Sequence, residues 1–530
     1  MSKTEKEGII TPSKKRINPY LKWGLILLPV MAIIGVAIWV ISILIPANLL
    51  KIVPADSDIV VAIDGEQILE ESGVNISIFG IEYSENVQEL LDYIKKNNKK
   101  NNNSSDIEVS KCFDPRRIVF VTNVNNSSQP IFFESYLLIS LFDRDDAEEF
   151  ITSLDSNFKI SYKNDYSISK VDYNTFFVLN DDYCWLYKIS HYNNKLVDNH
   201  IEFTEDDIAK RIDEIVHAAS ENPILEDANK SSILNNDNAI SACIDTKNFS
   251  EIANTELGNI LPNVKFNEEK LAFNARFEEM SFISEATLYD KEWKQIPIYP
   301  NSKKINESCA KWLNSKDRLS IAFTIDENTP WANIIEQTES ITNTELPQPE
   351  REQLLTFLTS LDGTVMCACG INGIIQAMNK SANLTSIIEI KEEKAPELFK
   401  LSSDILNSID AQNIKQGDSV IEAEIDNNKI KMQQIGEKII ISNRQIEING
   451  NDVMSPEFFS EKSFASMLYL NKSNFISRYL DLDGDVLLTT TCDNNKLSTR
   501  IEIKNLDKDR KNMGVIDFFF PCIIKILKKL

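Results

Sequence analysis

The feature that most constrains this chain is an uncharged apolar segment near its N-terminus. Residues 23–50 contain no charged side chain and lie between Lys22 and Lys51. A helix needs about 20 apolar residues to cross the hydrocarbon core of a bilayer. Pro29 and Gly35 are compatible with this interpretation, because membrane helices tolerate both residue types. We therefore expect residues 23–50 to form a single transmembrane helix.

The charges that flank this segment predict its orientation. The chain before it carries six basic residues, Lys3, Lys6, Lys14, Lys15, Arg16 and Lys22. After it, Lys51 is soon followed by the acids Asp56, Asp58, Asp64 and Glu66. The positive-inside rule then places residues 1–22 in the cytoplasm as a basic tail. A cleaved secretory signal is the alternative, but the apolar stretch is long for one and no clear A-x-A site follows it.

The composition indicates that the chain after residue 50 is an acidic globular body. The 530 residues include 56 Lys and Arg and 80 Asp and Glu, which gives a net charge of −24, and 42% are hydrophobic. An acidic surface repels nucleic acid, so we expect no nucleic-acid partner. Only 15 glycines are present, which makes Gly-rich phosphate-binding loops scarce.

A strand, a polar turn and a helix recur four times along this body. Alternating apolar residues lead into the turn in each copy, as one buried sheet face requires. The copies start at Asp58, Asn238, Arg318 and Lys462. The turn or helix-start residues are Asp64, Asp245, Asp326 and Asn471. The recurrence predicts a tandem duplication.

A second type of unit, a strand followed by an amphipathic helix, starts at Ser135 and again at Ser386. A further strand precedes each of these units, from Arg117 and from Leu361. The order β-α-β-β-α-β is that of a split βαβ unit. We therefore predict an α+β fold: an N-terminal transmembrane helix followed by tandem split-βαβ-like antiparallel sheet modules, with helices on one face.

The predicted domain boundaries follow this repetition. The first half, 52–290, and the second half, 318–506, each contain two modules, and residues 291–317 link them. Residues 95–105 carry no apolar side chain and are expected to form a solvated loop. Residues 507–530 form an apolar and basic C-terminal tail that either lies in the membrane interface or docks on the protein.

Few residues suggest catalysis or metal binding. The three histidines are His191, His200 and His217, and the sequence contains no HExxH, GxSxG or Walker phosphate-loop motif. His217 follows a helix pattern in which Thr204 is the predicted cap. The apolar positions of that pattern are Ile208, Ile212 and Ile215, so His217 is expected on the helix surface.

Two acidic motifs have simpler structural explanations than metal binding or catalysis. The cluster at the start of a predicted helix, Asp143, Asp145, Asp146, Glu148 and Glu149, suits capping and the helix dipole better than paired-carboxylate chemistry. The DLDGD motif at residues 481–485 begins like a calcium loop, but its glycine is at the wrong position and Cys492 stands where the closing glutamate belongs. A tight turn is the expected structure.

The eight cysteines show no paired zinc spacing, and they are Cys112, Cys184, Cys243, Cys309, Cys367, Cys369, Cys492 and Cys522. Cys367 and Cys369 lie two apart in an apolar run, where buried strand thiols are expected rather than metal ligands. We assign no catalytic residue, cofactor or metal site from the sequence.

Residues 52–73, IVPADSDIVVAIDGEQILEESG, resemble the opening of uncharacterised Bacteroidales cell-envelope proteins. The exported part of those proteins begins with a Pro-Ala-Asp element, an alternating strand and a leucine-bearing helix. This resemblance implies a cell-envelope location and supplies no activity. The chain lacks a lipid-accepting cysteine near the end of its apolar segment. An inner-membrane anchor that faces the periplasm is therefore expected.

These observations favour a non-enzymatic binding or scaffold protein of the envelope, with the membrane and an envelope protein or polymer as partners. The alternative is a hydrolase-like envelope enzyme that uses carboxylates in a cleft between modules, which a linear sequence cannot display. A third hypothesis is a structural spacer that holds partners away from the membrane.

Overall fold

The computed structural model describes the following residues: 48–77, 80–89, 112–125, 132–155, 157–191, 203–256, 266–298, 305–313, 319–325, 331–332, 335–336, 339, 346–369, 384–408, 411–425, 428–443, 464–470, 482, 484–493, 495–506 and 513–527. Residues 23–47 of the predicted membrane helix and the predicted loop at 95–105 lie outside these ranges. Among the described residues, no helix combines the length and the apolar content needed to cross a bilayer.

Strands dominate the described structure. They are β1 (Ile59–Asp64), β2 (Val74–Ser77), β3 (Gly80–Tyr83), β4 (Phe113–Asn125), β5 (Phe132–Leu141), β6 (Ile160–Lys163), β7 (Tyr166–Lys170), β8 (Thr175–Leu179), β9 (Tyr183–His191), β10 (Ile240–Asp245), β11 (Lys270–Glu278), β12 (Ser281–Tyr289), β13 (Gln295–Ile296), β14 (Leu319–Ile325), β15 (Leu361–Cys369), β16 (Leu384–Ile390), β17 (Gln412–Gln416), β18 (Val420–Ile425), β19 (Asn428–Ile435), β20 (Lys438–Ser442), β21 (Phe464–Leu470), β22 (Asp485–Asp493) and β23 (Lys496–Lys504).

The α-helices whose bounds the structure defines are α1 (Gly65–Glu71), α2 (Arg144–Leu154), α3 (Glu205–Glu221), α4 (Ala228–Leu234), α5 (Ser250–Glu256), α6 (Gln348–Ser360), α7 (Ala395–Ser408) and α8 (Val515–Leu527). Short 3-10 helices include Leu49–Ile52 and Glu307–Trp312. Leu49 and Leu50, which end the predicted membrane segment, are buried in the core of the first half.

The described strands form one 21-stranded sheet and a separate hairpin of β2 and β3. In the first half of the chain, the strands of the large sheet lie in the spatial order β6-β7-β8-β9-β5-β4-β1-β10-β11-β12. The second half runs β17-β18-β19-β20-β16-β15-β14-β21-β22-β23, which repeats the order of the first strand for strand. The two halves meet where β12 pairs with β23, and β13 extends the end of β12.

The predicted fold class is wrong in its topology. In a split βαβ unit the two strands that flank the helix run parallel and are separated by a third strand, whereas β1 and β4, the strands of the large sheet that flank α1, pair directly and run antiparallel. β1 lies antiparallel to both of its neighbours, β4 and β10. The modules are also not separate, because a single sheet runs through both halves. The error arose because strand pairing is non-local, while the helix between two strands suggested a crossover.

Helices cover both faces of the sheet, rather than the one face that was predicted. On what we call the front face, Val60 and Val119 pack with Ile208 and Ile212 of α3. On the opposite, back face, Ile118 and Ile139 pack with residues of α2. The strands of the first half are therefore apolar on both faces, as the uninterrupted apolar run at 59–63 reflects.

The second half has the same two-sided arrangement. Ala322 and Met366 on the front face pack with Cys309 and Trp312 of the 3-10 helix Glu307–Trp312. On the back face, residues of β16 pack with Leu398 and Phe399 of α7. Both halves thus carry a core on each side of one continuous sheet.

The C-terminal tail docks on the protein, which was one of the two arrangements that the sequence allowed. Helix α8 buries Val515 and Phe518 against the back face of the sheet.

Candidate functional site

The two halves meet at a four-stranded region made of β11, β12, β23 and β22. The hairpins β11–β12 and β22–β23 match in strand length, with nine residues in every strand. Residues directly opposite one another on paired strands point to the same face. Arg276, Ile283, Arg500 and Thr489 form one such row across the four strands. This row lies on the front face, because Ala272, which alternates in step with Arg276, belongs to the front core of the first half.

The front face of β11, β12 and β23 is mostly polar, whereas the cores on either side of it are apolar. We call these front-face residues the junction strip, and they are Asn274, Arg276, Glu278, Ser281, Ile283, Glu285, Lys496, Ser498, Arg500, Glu502 and Lys504. The strip lies between the front core of the first half and that of the second half.

Ion pairs connect the two halves across the strip. Glu278 lies 2.9 Å from Nε of Arg276 on its own strand and 3.8 Å from Nη1 of Arg500 on β23. Glu285 lies 3.3 Å from Nη1 of Arg276 and 4.0 Å from Nζ of Lys496. Each of these two carboxylates therefore faces one cation from each half.

The strip is accessible to solvent, although its arginines partly cover the strands beneath. The side chains of Arg276 and Arg500 are 34% and 30% exposed. Nη2 of Arg500 donates to Oγ of Ser281 at 2.9 Å, and Ser281 itself is buried. Half-exposed ion pairs contribute little to stability, about 0–1 kcal/mol each, because water screens them. Their more important effect is to hold the charged groups of the strip in fixed positions relative to one another.

The enzyme hypothesis requires carboxylates that converge between modules, and some do converge here. Glu278, Glu285 and Glu502 all lie on the strip, but each is within ion-pair distance of an arginine or lysine. For Glu502 these cations are Lys504 at 3.5 Å and Arg500 at 4.0 Å. This is an ion-pair network and not a pair of facing acids. In the described part of the chain, no group of three His, Cys, Asp or Glu side chains is arranged to hold a metal ion.

A second polar cluster surrounds Asp58, at the start of β1. Its carboxylate accepts hydrogen bonds from the backbone N–H of Val124 at 2.7 Å and from Nδ2 of Asn248 at 2.8 Å. Burial raises the pKa of Asp58 to about 6, against the lowering effect of these hydrogen bonds. Nearby, the buried Lys230 donates from Nζ to the carbonyls of Ala55 and Ser57. Because Asp58 is buried and hydrogen-bonded, the cluster joins the start of β1 to β4 and α4 rather than forming an open site.

The thiol of Cys309, a residue of the 3-10 helix Glu307–Trp312, lies in a third cluster. Glu389 accepts hydrogen bonds from the backbone N–H of Thr364 and from the amide of Asn306, and it pairs with Lys438 at 3.2 Å. Burial, followed by the charge of Glu389, raises the pKa of Cys309 to about 12. A nucleophilic cysteine needs a lowered pKa, so this arrangement suits a structural thiol.

The histidines and cysteines singled out in the sequence do not converge on the strip. His217 lies on the surface of α3, with Nε2 3.5 Å from Glu221. His191 ends β9, and His200 lies outside the described residues. Cys367 and Cys369 both lie in β15, where Oγ of Ser386 donates to Sγ of Cys367.

The acidic motifs have local structural roles. Asp143 is the N-cap of α2 and accepts from the backbone N–H of Asp146 at 3.0 Å. Glu148, from the same cluster, pairs with Arg144. In the DLDGD motif, Asp485 is buried and accepts from the hydroxyl of Tyr469 at 2.9 Å.

Sequence reasoning missed the strip altogether. Its charged residues alternate with apolar ones along β11, β12 and β23, a pattern that indicates only a strand with one wet face. That these three strands lie side by side follows from the pairing of β12 with β23, for which the sequence contains no local signal.

No protein-family model matches the chain, and no curated protein matches it. Among solved structures, crystal forms IV and I of TP0453 match with TM-scores of 0.24 and 0.25 and sequence identities of 9% and 8%. The matches cover 46% and 47% of this chain and 80% of each TP0453 chain. A likeness at this TM-score supports no assignment of fold or function.

Proposed function

We propose that this chain is a membrane-anchored periplasmic protein that binds another protein or a polymer of the cell envelope through the junction strip. The proposal places the basic tail 1–22 in the cytoplasm and the acidic body beyond the inner membrane. The anchor and the location rest on the charge pattern around residues 23–50 and on the resemblance of residues 52–73 to envelope proteins.

The observation that carries the binding role is the polar, half-exposed character of the strip between two apolar cores. The side chains that cover its strands are charged, and water reaches them. The back face of the same strands is covered by apolar residues of α8. Among the described residues, a partner can therefore reach β11, β12 and β23 from the front.

Charge favours a partner that carries acidic groups. The strip contains the cations Arg276, Lys496, Arg500 and Lys504 and the carboxylates Glu278, Glu285 and Glu502. The whole chain, by contrast, has a net charge of −24. Acidic groups of a partner thus meet less repulsion at the strip than over the acidic remainder. The pairing of each carboxylate with a cation gives the hydrolase hypothesis no support.

Site-specific photo-crosslinking in intact cells tests the proposal. A photoreactive residue at Ser498, which is half-exposed on the strip, is expected to give a defined cross-linked product. The same residue at Glu221, exposed at the end of α3, serves as the position control and is expected to give none. Reversing two charges, with Arg276→Glu and Arg500→Glu together, is expected to abolish the product at Ser498. A product that forms equally at both positions, or that survives the reversal, contradicts binding at the strip.

A further inference from the structure

Helix α8 packs directly behind the junction strip. Its residues Val515 and Phe518 form an apolar cluster with residues from each of the four strands of the junction, which are Phe277 of β11, Phe282 of β12, Ile501 and Ile503 of β23, and Val486 of β22. The cluster therefore contains side chains from both halves. The apolar cluster that contains the C-terminal helix thus bridges the line along which β12 and β23 meet.

Polar contacts also tie α8 to the first half. The backbone N–H of Val515 donates to Oε2 of Glu71, at the end of α1, at 2.9 Å. Oγ of Ser84 donates to Oδ1 of Asp517 at 2.6 Å, and Nδ2 of Asn86 donates to the carbonyl of Asp517 at 3.1 Å. Asp517 is only 2% exposed. These bonds join residues more than 400 positions apart in the chain, so they form only when the C-terminus returns to the first half.

The residue just before α8 fits against α1 without room for a side chain. A Cβ at Gly514 would lie 2.1 Å from the carbonyl oxygen of Glu71 and 2.5 Å from its carbonyl carbon. Both are backbone atoms, which cannot move aside as the end of a flexible side chain can. The close approach of α8 to α1 therefore depends on glycine at this position.

We propose that α8 is a strap that locks the two halves together at the junction. In the sequence, α8 follows the last strand of the second half. In the fold, hydrogen bonds anchor it to the first half. Separating β12 from β23 then requires the release of α8, because the helix packs on both strands. The strap keeps the hydrogen bonds between β12 and β23 closed and so keeps the strip continuous.

Hydrogen–deuterium exchange of the full chain in detergent micelles tests this proposal. Gly514→Ala is expected to push α8 away from α1, and the amides of β12 and β23 are then expected to exchange about tenfold faster or more, because local opening no longer has to release the helix. The amides of α3, on the front face of the first half, are expected to keep their wild-type rates. The matched control is Gly417→Ala, where the nearest atom to the new Cβ is 3.7 Å away.

Two variants that disturb the structure less keep the proposal testable if Gly514→Ala does not fold. Ser84→Ala and Asn86→Ala each remove one donor to Asp517 and leave the backbone contact intact. In either variant, α8 and the β12–β23 pair are expected to loosen together. Faster exchange in α8 with unchanged rates in β12 and β23 would show that the helix does not hold these strands together. That result would contradict the proposal. Unchanged rates in α8 in all three variants would overturn it as well, because the contacts named here would not be holding the helix.

Discussion

At the scale of single residues, the ionisation of Asp58 opposes folding at neutral pH. Its pKa is raised from 3.8 to about 6 by burial, so the folded protein holds the proton more tightly than the unfolded chain does. The stability that protonated Asp58 contributes is fully present below its pKa in the unfolded chain. It is lost as the pH rises through about 6, the pKa of Asp58 in the folded protein. Lys230 and Asp245 are the nearby charges that act on it, the first lowering and the second raising its pKa.

We expect Asp58→Asn to reduce the pH dependence of stability. Between pH 4.5 and pH 7, ionisation of Asp58 should cost the wild-type protein about 2 kcal/mol of its free energy of unfolding, and the variant should not show this loss. The amide of Asn248 can turn its oxygen toward the new amide, which preserves a hydrogen bond. Urea unfolding at the two pH values measures the difference. Asp172→Asn, at an exposed turn, is the control; equal pH profiles for the two variants and the wild type would refute the role given to Asp58.

At the scale of elements, α1 depends on a close backbone contact at its first residue. A Cβ at Gly65 would lie 2.0 Å from the carbonyl oxygen of Pro115, in the irregular part of β4. Asp64 caps the same helix by accepting from the backbone N–H of Gln67 at 3.2 Å. The turn from β1 into α1 is therefore specified both by its cap and by the absence of a side chain.

Gly65→Ala is expected to destabilise the protein by about 1–3 kcal/mol, the cost of overpacking against backbone atoms. This is opposite to the usual effect, because alanine normally stabilises a helix relative to glycine by about 0.5–1 kcal/mol. The midpoint of urea unfolding measures the change. Gly417→Ala serves again as the control, since its Cβ meets no close atom. A Gly65→Ala variant as stable as this control would show that the contact with Pro115 relaxes freely.

Much of the local structure of these elements could be predicted from the sequence. The strands expected after Asp58, Asn238, Arg318 and Lys462 are confirmed as β1, β10, β14 and β21. The cap at Thr204 and the buried stripe of α3 are also confirmed. These features rest on alternation and capping, which are signals within a few residues of one another. The turn residues Asp326 and Asn471 lie outside the described residues.

The partners of those strands could not be predicted in the same way. The residue paired with Ser284 is Thr499, and nothing near either position distinguishes that partner from others. The polar alternation of β12 and β23 was compatible with any strand that has one wet face. The split-βαβ prediction failed for this reason: the strand neighbours were taken from a common motif, although the sequence does not specify them.

At the scale of the whole molecule, a single sheet implies that the two halves unfold together. Thr499 lies in β23 between Ser284 of β12 and Thr490 of β22, at the middle of the junction. Thr499→Pro removes a backbone donor from a central strand, a change that sheets accommodate poorly. The continuity of the sheet would then be broken where the halves meet.

We expect scanning calorimetry to show one unfolding transition for the wild-type chain and two for Thr499→Pro, since each half keeps its own cores. Gln416→Pro, in the edge strand β17, is the control and should keep a single transition, because edges tolerate proline better. Two transitions already present in the wild type would mean that the sheet does not couple the halves.

The middle residues of the two nine-residue junction strands are Glu285 in β12 and Arg500 in β23. In an assembly of two identical subunits, these equivalent positions would have to carry the same side chain. Two like charges would then face each other across the interface between the subunits and repel. Joining both copies in one polypeptide removes that constraint, so one copy could become acidic and the other basic. A chain that contains both halves can thus present an asymmetric charged surface on two matching strands, which two identical subunits could not do.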